Sequence, residues 1–151
     1  MKKATVLLMV MLAACGLAAQ KAIAGSWSPL ILFTNGSGCI SNYRNGQMLQ
    51  AGQSFYMLAA PRQGSVFAGW QQVKKAIEVK TVHYPSGVTV ITTNTVISVA
   101  GKPNCKPWME FIMQPVTVRN VEDNPGNSII TEYHGWQANF APVLAPVYKR
   151  W

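Results

Sequence analysis

The chain has 151 residues, of which 49% are hydrophobic and 12% are charged, and its formal net charge is +8 at pH 7. This size and composition fit one folded domain and exclude both a disordered tail and a multidomain enzyme. Taken alone, this positive net charge suggests nucleic acid or an anionic surface as a partner.

The N-terminal residues have the pattern of a secretory signal peptide. Lys2 and Lys3 form a basic start, and an apolar run follows over residues 4–14. This run is shorter than the roughly 18 to 20 residues that a helix needs to cross a bilayer. The pattern therefore predicts an exported protein.

Two cleavage sites compete at the end of this leader. Residues 12–16 (Leu-Ala-Ala-Cys-Gly) resemble the lipobox of bacterial lipoproteins, in which residues 1–14 are removed and Cys15 receives a lipid. Residues 22–24 (Ala-Ile-Ala) instead fit ordinary signal peptidase, which would remove residues 1–24. Because the apolar run stops directly before Cys15, we expect a membrane-anchored lipoprotein, with a soluble periplasmic or secreted protein as the alternative.

The chain contains three cysteines. Once Cys15 is lipidated or removed, Cys39 and Cys105 remain as a natural pair in an oxidising compartment, and we expect a disulfide between them. The cysteines lack CxxC spacing and the two histidines, His83 and His134, are far apart in sequence, so we expect no metal site and no cofactor.

Nucleic acid is a weak hypothesis for the exported chain. Removal of the leader takes Lys2 and Lys3 with it, and the one basic cluster that remains, Lys74, Lys75 and Lys80, is interrupted by Glu78. No long basic track follows a surface or a helix. We therefore expect no nucleic-acid partner, and membrane contact only through a lipid on Cys15.

The mature chain is predicted to be mainly β, because short runs of β-branched and aromatic residues alternate with Gly, Asn, Pro and Ser. A first strand is expected over residues 30–34, followed by a glycine turn over 35–38 and a short strand through 39–40. A third strand is expected over 54–60, ending at Pro61, which cannot donate a ladder hydrogen bond.

Six segments carry a resemblance to a known family. The segments are Asn35-Gly36-Ser37-Gly38, residues 50–55, residues 58–61, Gly64-Ser65-Val66-Phe67-Ala68-Gly69-Trp70, residues 111–115 and residues 137–142. In this order they resemble the blocks of the divergent InlB B-repeat, a domain of bacterial cell-surface proteins. The resemblance implies a β-grasp-like antiparallel or mixed sheet over residues 25–141.

The most specific block of this resemblance has a structural reading. Phe67 and Trp70 are apolar anchors of a short strand, whereas Gly64 and Gly69 suit a tight turn or the close approach of another strand. Trp70 is expected to be a core residue. The alternative is a solvent-facing Trp70 that stacks on a sugar.

Two segments exceed the family pattern and are predicted as hairpin insertions, at about residues 71–107 and 116–135. The first has a turn over 84–87, and its threonine-rich return strand is either an edge that recruits a partner strand or an ordinary flap. The second turns over 121–127. An extended C-terminal tail is expected over residues 142–151.

An enzyme is disfavoured by the scarcity of catalytic groups. Glu110 and Glu132 are the only separated acidic pair on predicted strands, and no serine lies in a Gly-x-Ser-x-Gly context. We therefore expect a non-catalytic binding or structural module at the cell envelope, with an envelope or surface protein or a polysaccharide as partner. A glycan-binding domain that uses exposed aromatics is the alternative, and a small secreted hydrolase is less favoured. The aromatic residues whose exposure discriminates these cases are Trp27, Tyr84, Trp108 and Trp136.

Overall fold

The computed structural model describes residues 26–123 and 126–144. The predicted leader, Cys15 and most of the predicted tail lie outside the described residues. Strands dominate the described part and no residue in it is helical, so the prediction of a mainly β protein is confirmed. Within the same ranges, no helix is present that could span a bilayer.

The described residues form ten strands. These are β1 (Trp27–Pro29), β2 (Ile31–Asn35), β3 (Gly38–Ser41), β4 (Met48–Gln50), β5 (Ser54–Pro61), β6 (Ser65–His83), β7 (Thr89–Asn104), β8 (Trp108–Ile112), β9 (Thr117–Asp123) and β10 (Gly126–Pro142).

The strands form three sheets in the described part of the chain. A long sheet has the order β2-β10-β6-β7, with β9 also paired to β10. A three-stranded sheet has the order β3-β5-β8, and β1 pairs with β4. Only β2 runs parallel to its neighbour, β10, and the other pairs are antiparallel. The sheets are thus antiparallel and mixed, whereas a β-grasp arrangement stays a prediction.

The pairing of β6 with β10 is the longest among the described residues. It runs from the pair Thr81–Asn127 to the pair Ser65–Pro142, with a single bulge at Ala68. One half of these two strands lies over the core, and the other half extends away from it together with β7 and β9. We call this extension, residues 74–99 and 117–132, the arm.

The core lies between the lower half of the long sheet and the inner face of the three-stranded sheet. Trp70 is 1% exposed, and its ring contacts that of Phe67 at a centroid distance of 5.6 Å. Gly69 has φ +140°, and a β-carbon there would collide with the Pro103 side chain. The buried cluster comprises Leu30, Leu32, Leu49, Met57, Ala59, Trp70, Met109, Phe111, Met113, Ala138 and Phe140.

The remaining motif glycine, Gly64, lies in the turn before β6. Its φ is +82° and its α-carbon faces open space, while the Ser65 N–H donates to the Arg62 carbonyl. Here the residue type is required by the backbone conformation and not by crowding.

The two segments predicted as separate insertions form hairpins that share one sheet. The first turns at Tyr84, whose N–H donates to the Val88 carbonyl at 2.8 Å, and the second joins β9 to β10. Their inner strands are continuations of β6 and β10, so the hairpins lie side by side in the arm.

The predicted disulfide is wrong. Cys39 and Cys105 are both free and exposed. Cys39 lies on β3 and faces Ala60 across the three-stranded sheet, whereas the Cys105 Sγ lies 4.0 Å from the Ala68 carbonyl of the long sheet. Cys39 thus lies on a strand and Cys105 in the connection between β7 and β8, a placement that the number of cysteines in the sequence does not reveal.

Candidate binding surface on the outer sheet face

Alternation along β5 and β8 separates a buried face from an exposed one. On β5, Met57 points into the core and Tyr56 points outward; on β8, Phe111 is buried and Trp108 is exposed. This is the expected behaviour of an antiparallel sheet that packs on one side only. A polar outer face is expected on such a sheet, but this one also carries large apolar side chains.

Four large apolar side chains occupy this outer face, and we call them the aromatic patch. Their exposed fractions are 48% for Tyr56, 39% for Leu58, 45% for Trp108 and 57% for Ile112. The strand register places Leu58 opposite Trp108, and Tyr56 is the diagonal neighbour of Trp108. Residues in these relative positions on one face of a sheet are in contact range.

The rings of Tyr56 and Trp108 are stacked. Their centroids lie 6.1 Å apart and their planes differ by 19°. The Nζ of Lys106 lies 5.1 Å from the centroid of the Trp108 ring, a cation–π arrangement. The exposed indole of Trp108 is therefore in contact with both Tyr56 and Lys106.

Polar groups border these rings. Glu110 lies opposite Tyr56 in the register, and Ser54 lies opposite Ile112. An apolar surface bordered by a carboxylate, a hydroxyl and an ammonium group can contact the C–H faces of a sugar while hydrogen-bonding its hydroxyls.

The aromatic residues predicted to discriminate between functions do not come together. Trp108 lies in the aromatic patch, Trp27 is 65% exposed on β1, and Tyr84 lies at the β6–β7 turn. Trp136 is partly buried, with its ring 6.5 Å from that of Phe111. Sequence reasoning missed Tyr56, which the alternation of the run Phe55-Tyr56-Met57-Leu58 places outside once Met57 is inside.

A cleft of about 410 Å³ lies where the arm leaves the core, between β8 and the strands β6, β7 and β10. His134 lines this cleft. Its burial lowers the pKa of its imidazole below 6.5, and the nearby Lys74 charge lowers it further, whereas Glu132 opposes the shift. The side chains that line the cleft include Gln72, Lys74, Phe111, Met113, His134 and Trp136.

Glu132 is held in an ion-pair network beside this cleft. Its carboxylate lies 2.8 Å from the Lys74 Nζ and 3.6 Å from the Arg119 guanidinium, and its side chain is 9% exposed. The Thr117 hydroxyl donates to it at 3.4 Å. The hydrogen bond from Lys74 lowers the pKa of Glu132 below 4.5, although burial acts in the opposite direction.

The acidic pair named from the sequence is divided between two surfaces. Glu132 lies in the arm of the long sheet, whereas Glu110 lies on the outer face of the three-stranded sheet. His83 is also far from His134, at the distal end of β6, where its Nδ1 lies 2.9 Å from the Thr89 hydroxyl. Within residues 26–123 and 126–144, no three His, Cys, Asp or Glu side chains are grouped as metal ligands.

Comparison with known proteins returned no match: no family model, no curated protein and no solved structure is similar to the chain. The likeness to the divergent InlB B-repeat rests on the motifs quoted above.

The two shifted groups predict how stability depends on pH. Below pH 6.5 the unfolded chain protonates its histidine before folded His134 does, so the free energy of unfolding falls as the pH decreases from 6.5 to the lowered pKa. The lowered pKa of Glu132 contributes fully to the free energy of unfolding above pH 4.5. This contribution is lost as the pH falls from 4.5 to the lowered pKa, because the unfolded chain protonates this carboxylate first. Urea midpoints measured from neutral to acidic pH should fall in both windows.

His134→Gln should remove the loss that begins near pH 6.5, and Glu132→Gln should remove the loss that begins near pH 4.5. Glu110→Gln, a change at the other member of the acidic pair, serves as the control for the second variant. An unchanged slope in either window after its own substitution would contradict the assignment.

Proposed function

We propose that the protein is an exported, non-catalytic binding module of the cell envelope, and that its aromatic patch binds polysaccharide. The observation that carries this proposal is the stacked, exposed pair of Tyr56 and Trp108. The signal-peptide pattern and the motifs that resemble a bacterial cell-surface domain support the envelope as its place of action.

Burial alone does not account for the patch. The core already contains the inner residues of the same strands, such as Met57 and Phe111, so the outer residues contribute no second core. A contiguous group of exposed apolar side chains with a polar border is typical of an interaction site. Pyranose rings present apolar C–H faces that pack on aromatic rings, and their hydroxyls bind the polar groups at the border.

Charge narrows the class of polymer. Removal of residues 1–14 takes Lys2 and Lys3 from the formal net charge of +8 and leaves +6, and Lys106 places an ammonium group directly at the Trp108 ring. A polymer with carboxylate groups, such as peptidoglycan or an acidic polysaccharide, would pair with Lys106, while Glu110, opposite Tyr56, would accept hydrogen bonds from sugar hydroxyls. Long-range attraction would also bring such a polymer to the surface.

The test compares two tyrosines of nearly equal exposure. Tyr56 in the patch is 48% exposed and Tyr84 at the β6–β7 turn is 49% exposed. Tyr56→Ala and Trp108→Ala should each raise the apparent Kd for purified peptidoglycan sacculi, measured by co-sedimentation, by up to about tenfold. This is the free energy that one aromatic contact contributes. Tyr84→Ala should bind as the unsubstituted protein does.

Equal losses in Tyr56→Ala and Tyr84→Ala would show that the patch has no special role. Binding that none of the three substitutions changes, or no binding of the unsubstituted protein to sacculi, would overturn the polysaccharide proposal. Circular dichroism of each variant checks that the sheet is retained.

The proposed place of action has its own test. We expect the protein isolated from its native cells to begin at Cys15 and to carry an added diacylglyceryl mass. A mass that begins at Gly25 with no lipid would contradict the lipoprotein proposal and leave a soluble exported protein. A mass that begins at Met1 would contradict export itself.

A further inference from the structure

The arm has two faces of different character. Cross-strand pairs share a face, so the register of β6 with β7 and β10 puts the odd-numbered residues of these three strands on one face, together with the even-numbered residues of β9. We call this side the apolar face and the opposite side the charged face. The aliphatic residues of the apolar face are Ile77, Val79, Ile91, Ile97, Val99, Val118 and Ile129, and its threonines include Thr81, Thr93, Thr95 and Thr131.

No described part of the chain covers either face of the distal arm. Residues 75–82 of β6, a strand with neighbours on both sides, are half-buried at odd and even positions alike. On β7, Ile91 is 66% exposed and Ile97 is 49% exposed. In the lower half of the same sheet, by contrast, Trp70 and Ala138 are sealed in the core.

Charges are distributed unequally between the two faces. The charged face carries Lys74, Glu78, Lys80, Arg119 and Glu132. Among the described residues of the apolar face, the charged side chains are Lys75 near the base of the arm and Glu122 near its tip. The charged face also carries exposed aliphatic side chains such as Val90 and Val96, but its charges favour contact with water, whereas the apolar face is suited to another apolar surface.

The apolar face is large enough for a stable interface. About eleven residue rows at roughly 3.4 Å and three to four strands at roughly 4.8 Å give about 600 Å² per copy, or about 1,200 Å² for two copies, which reaches the range of specific interfaces. Sheets that pack face to face in this way lie about 10 Å apart.

We propose that the occupant of the apolar face is a second copy of this chain, packed face to face with the arms antiparallel. In this orientation the base of one arm lies over the tip of the other, so that Lys75 of each copy is at the end where Glu122 of the other lies. A parallel superposition would place like charges at the same end and is disfavoured.

The charge of the arm does not oppose this association. Glu78, Glu122 and Glu132 lie on β6, β9 and β10 together with Lys74, Lys75, Lys80 and Arg119, so charges of both signs are mixed along the arm. The dimer would carry two aromatic patches, which raises the avidity for a repeating polymer, although the dimer does not depend on that ligand.

The test uses neighbouring residues of β7 that point to opposite faces. Ile97 is 49% exposed on the apolar face, and Val96 is 54% exposed on the other. The test protein is produced without residues 1–14 and with Cys15→Ser, so that no lipid is attached. It should sediment as a dimer at about 100 µM, a concentration above the micromolar Kd expected for a small interface. Ile97→Lys should yield a monomer, and Val96→Lys should leave the dimer intact.

A second variant separates face packing from strand pairing. Val118 lies on β9, at the other side of the sheet, is 44% exposed and belongs to the apolar face. Val118→Lys should also yield a monomer. A dimer lost in both β7 variants but kept in Val118→Lys would show pairing through the β7 edge and overturn face packing. A monomeric unsubstituted protein, or a dimer that survives Ile97→Lys, would overturn the proposal as well.

Discussion

The antiparallel pairing of β6 with β10 is the constraint on which the rest of the structure depends. Both strands are far longer than the core needs, at 19 and 17 residues. Their hydrogen bonds continue without a break beyond the last buried row, so the arm is a direct extension of the core sheet. The same backbone ladder thus positions the core, the cleft at the base of the arm and the two faces of the arm.

The close approach of neighbouring strands to this ladder depends on two glycines. A β-carbon at Gly135 would collide with the backbone of Ile31, so the glycine admits β2 as the parallel neighbour of β10. A β-carbon at Gly69 would collide with Pro103, next to the irregularity where β7 meets β6. Beyond these points the sheet extends as the arm, and Lys74, Glu132 and His134 lie where the core ends.

The aromatic patch is a consequence of one-sided packing. The three-stranded sheet commits Met57 and Phe111 to the core, and period-2 alternation then fixes the outward direction of Tyr56 and Trp108. Their position needs no support from a loop. A ligand surface built on strands in this way is held by the same packing that stabilises the domain.

Local patterns predicted β2, β3, β5 and the two hairpins, because alternation, turn residues and Pro61 act over a few positions. The turn before Val88 and the return of the second hairpin were visible in this way. The strands β1 and β4 were not predicted, and the strand of Phe67 and Trp70, expected to be short, is part of the 19-residue β6. The sequence did not show that the two hairpins join along β6 and β10, because that pairing links residues far apart in the chain. The prediction of a Cys39–Cys105 disulfide was wrong for a similar reason. It rested on the number of cysteines, which says nothing about where the two thiols lie in the fold.

The candidate surface was only partly visible in the sequence. Trp108 was named among residues whose exposure matters, but Tyr56 could be assigned to the outer face only after the buried side of β5 was known. The unequal faces of the arm could likewise be recognised only from the strand register. Ile97 and Val96 are both aliphatic, and only the register shows that they lie on opposite faces.

Residue-resolved hydrogen exchange tests the central claim that core and arm are one continuous sheet. If β6 is paired on both sides along its length, the amides of residues 75–82 should be protected like those of residues 70–73, since both stretches lie between β10 and β7. Exchange of residues 75–82 at the rate of an unfolded chain, with protection confined to the core half, would contradict the account.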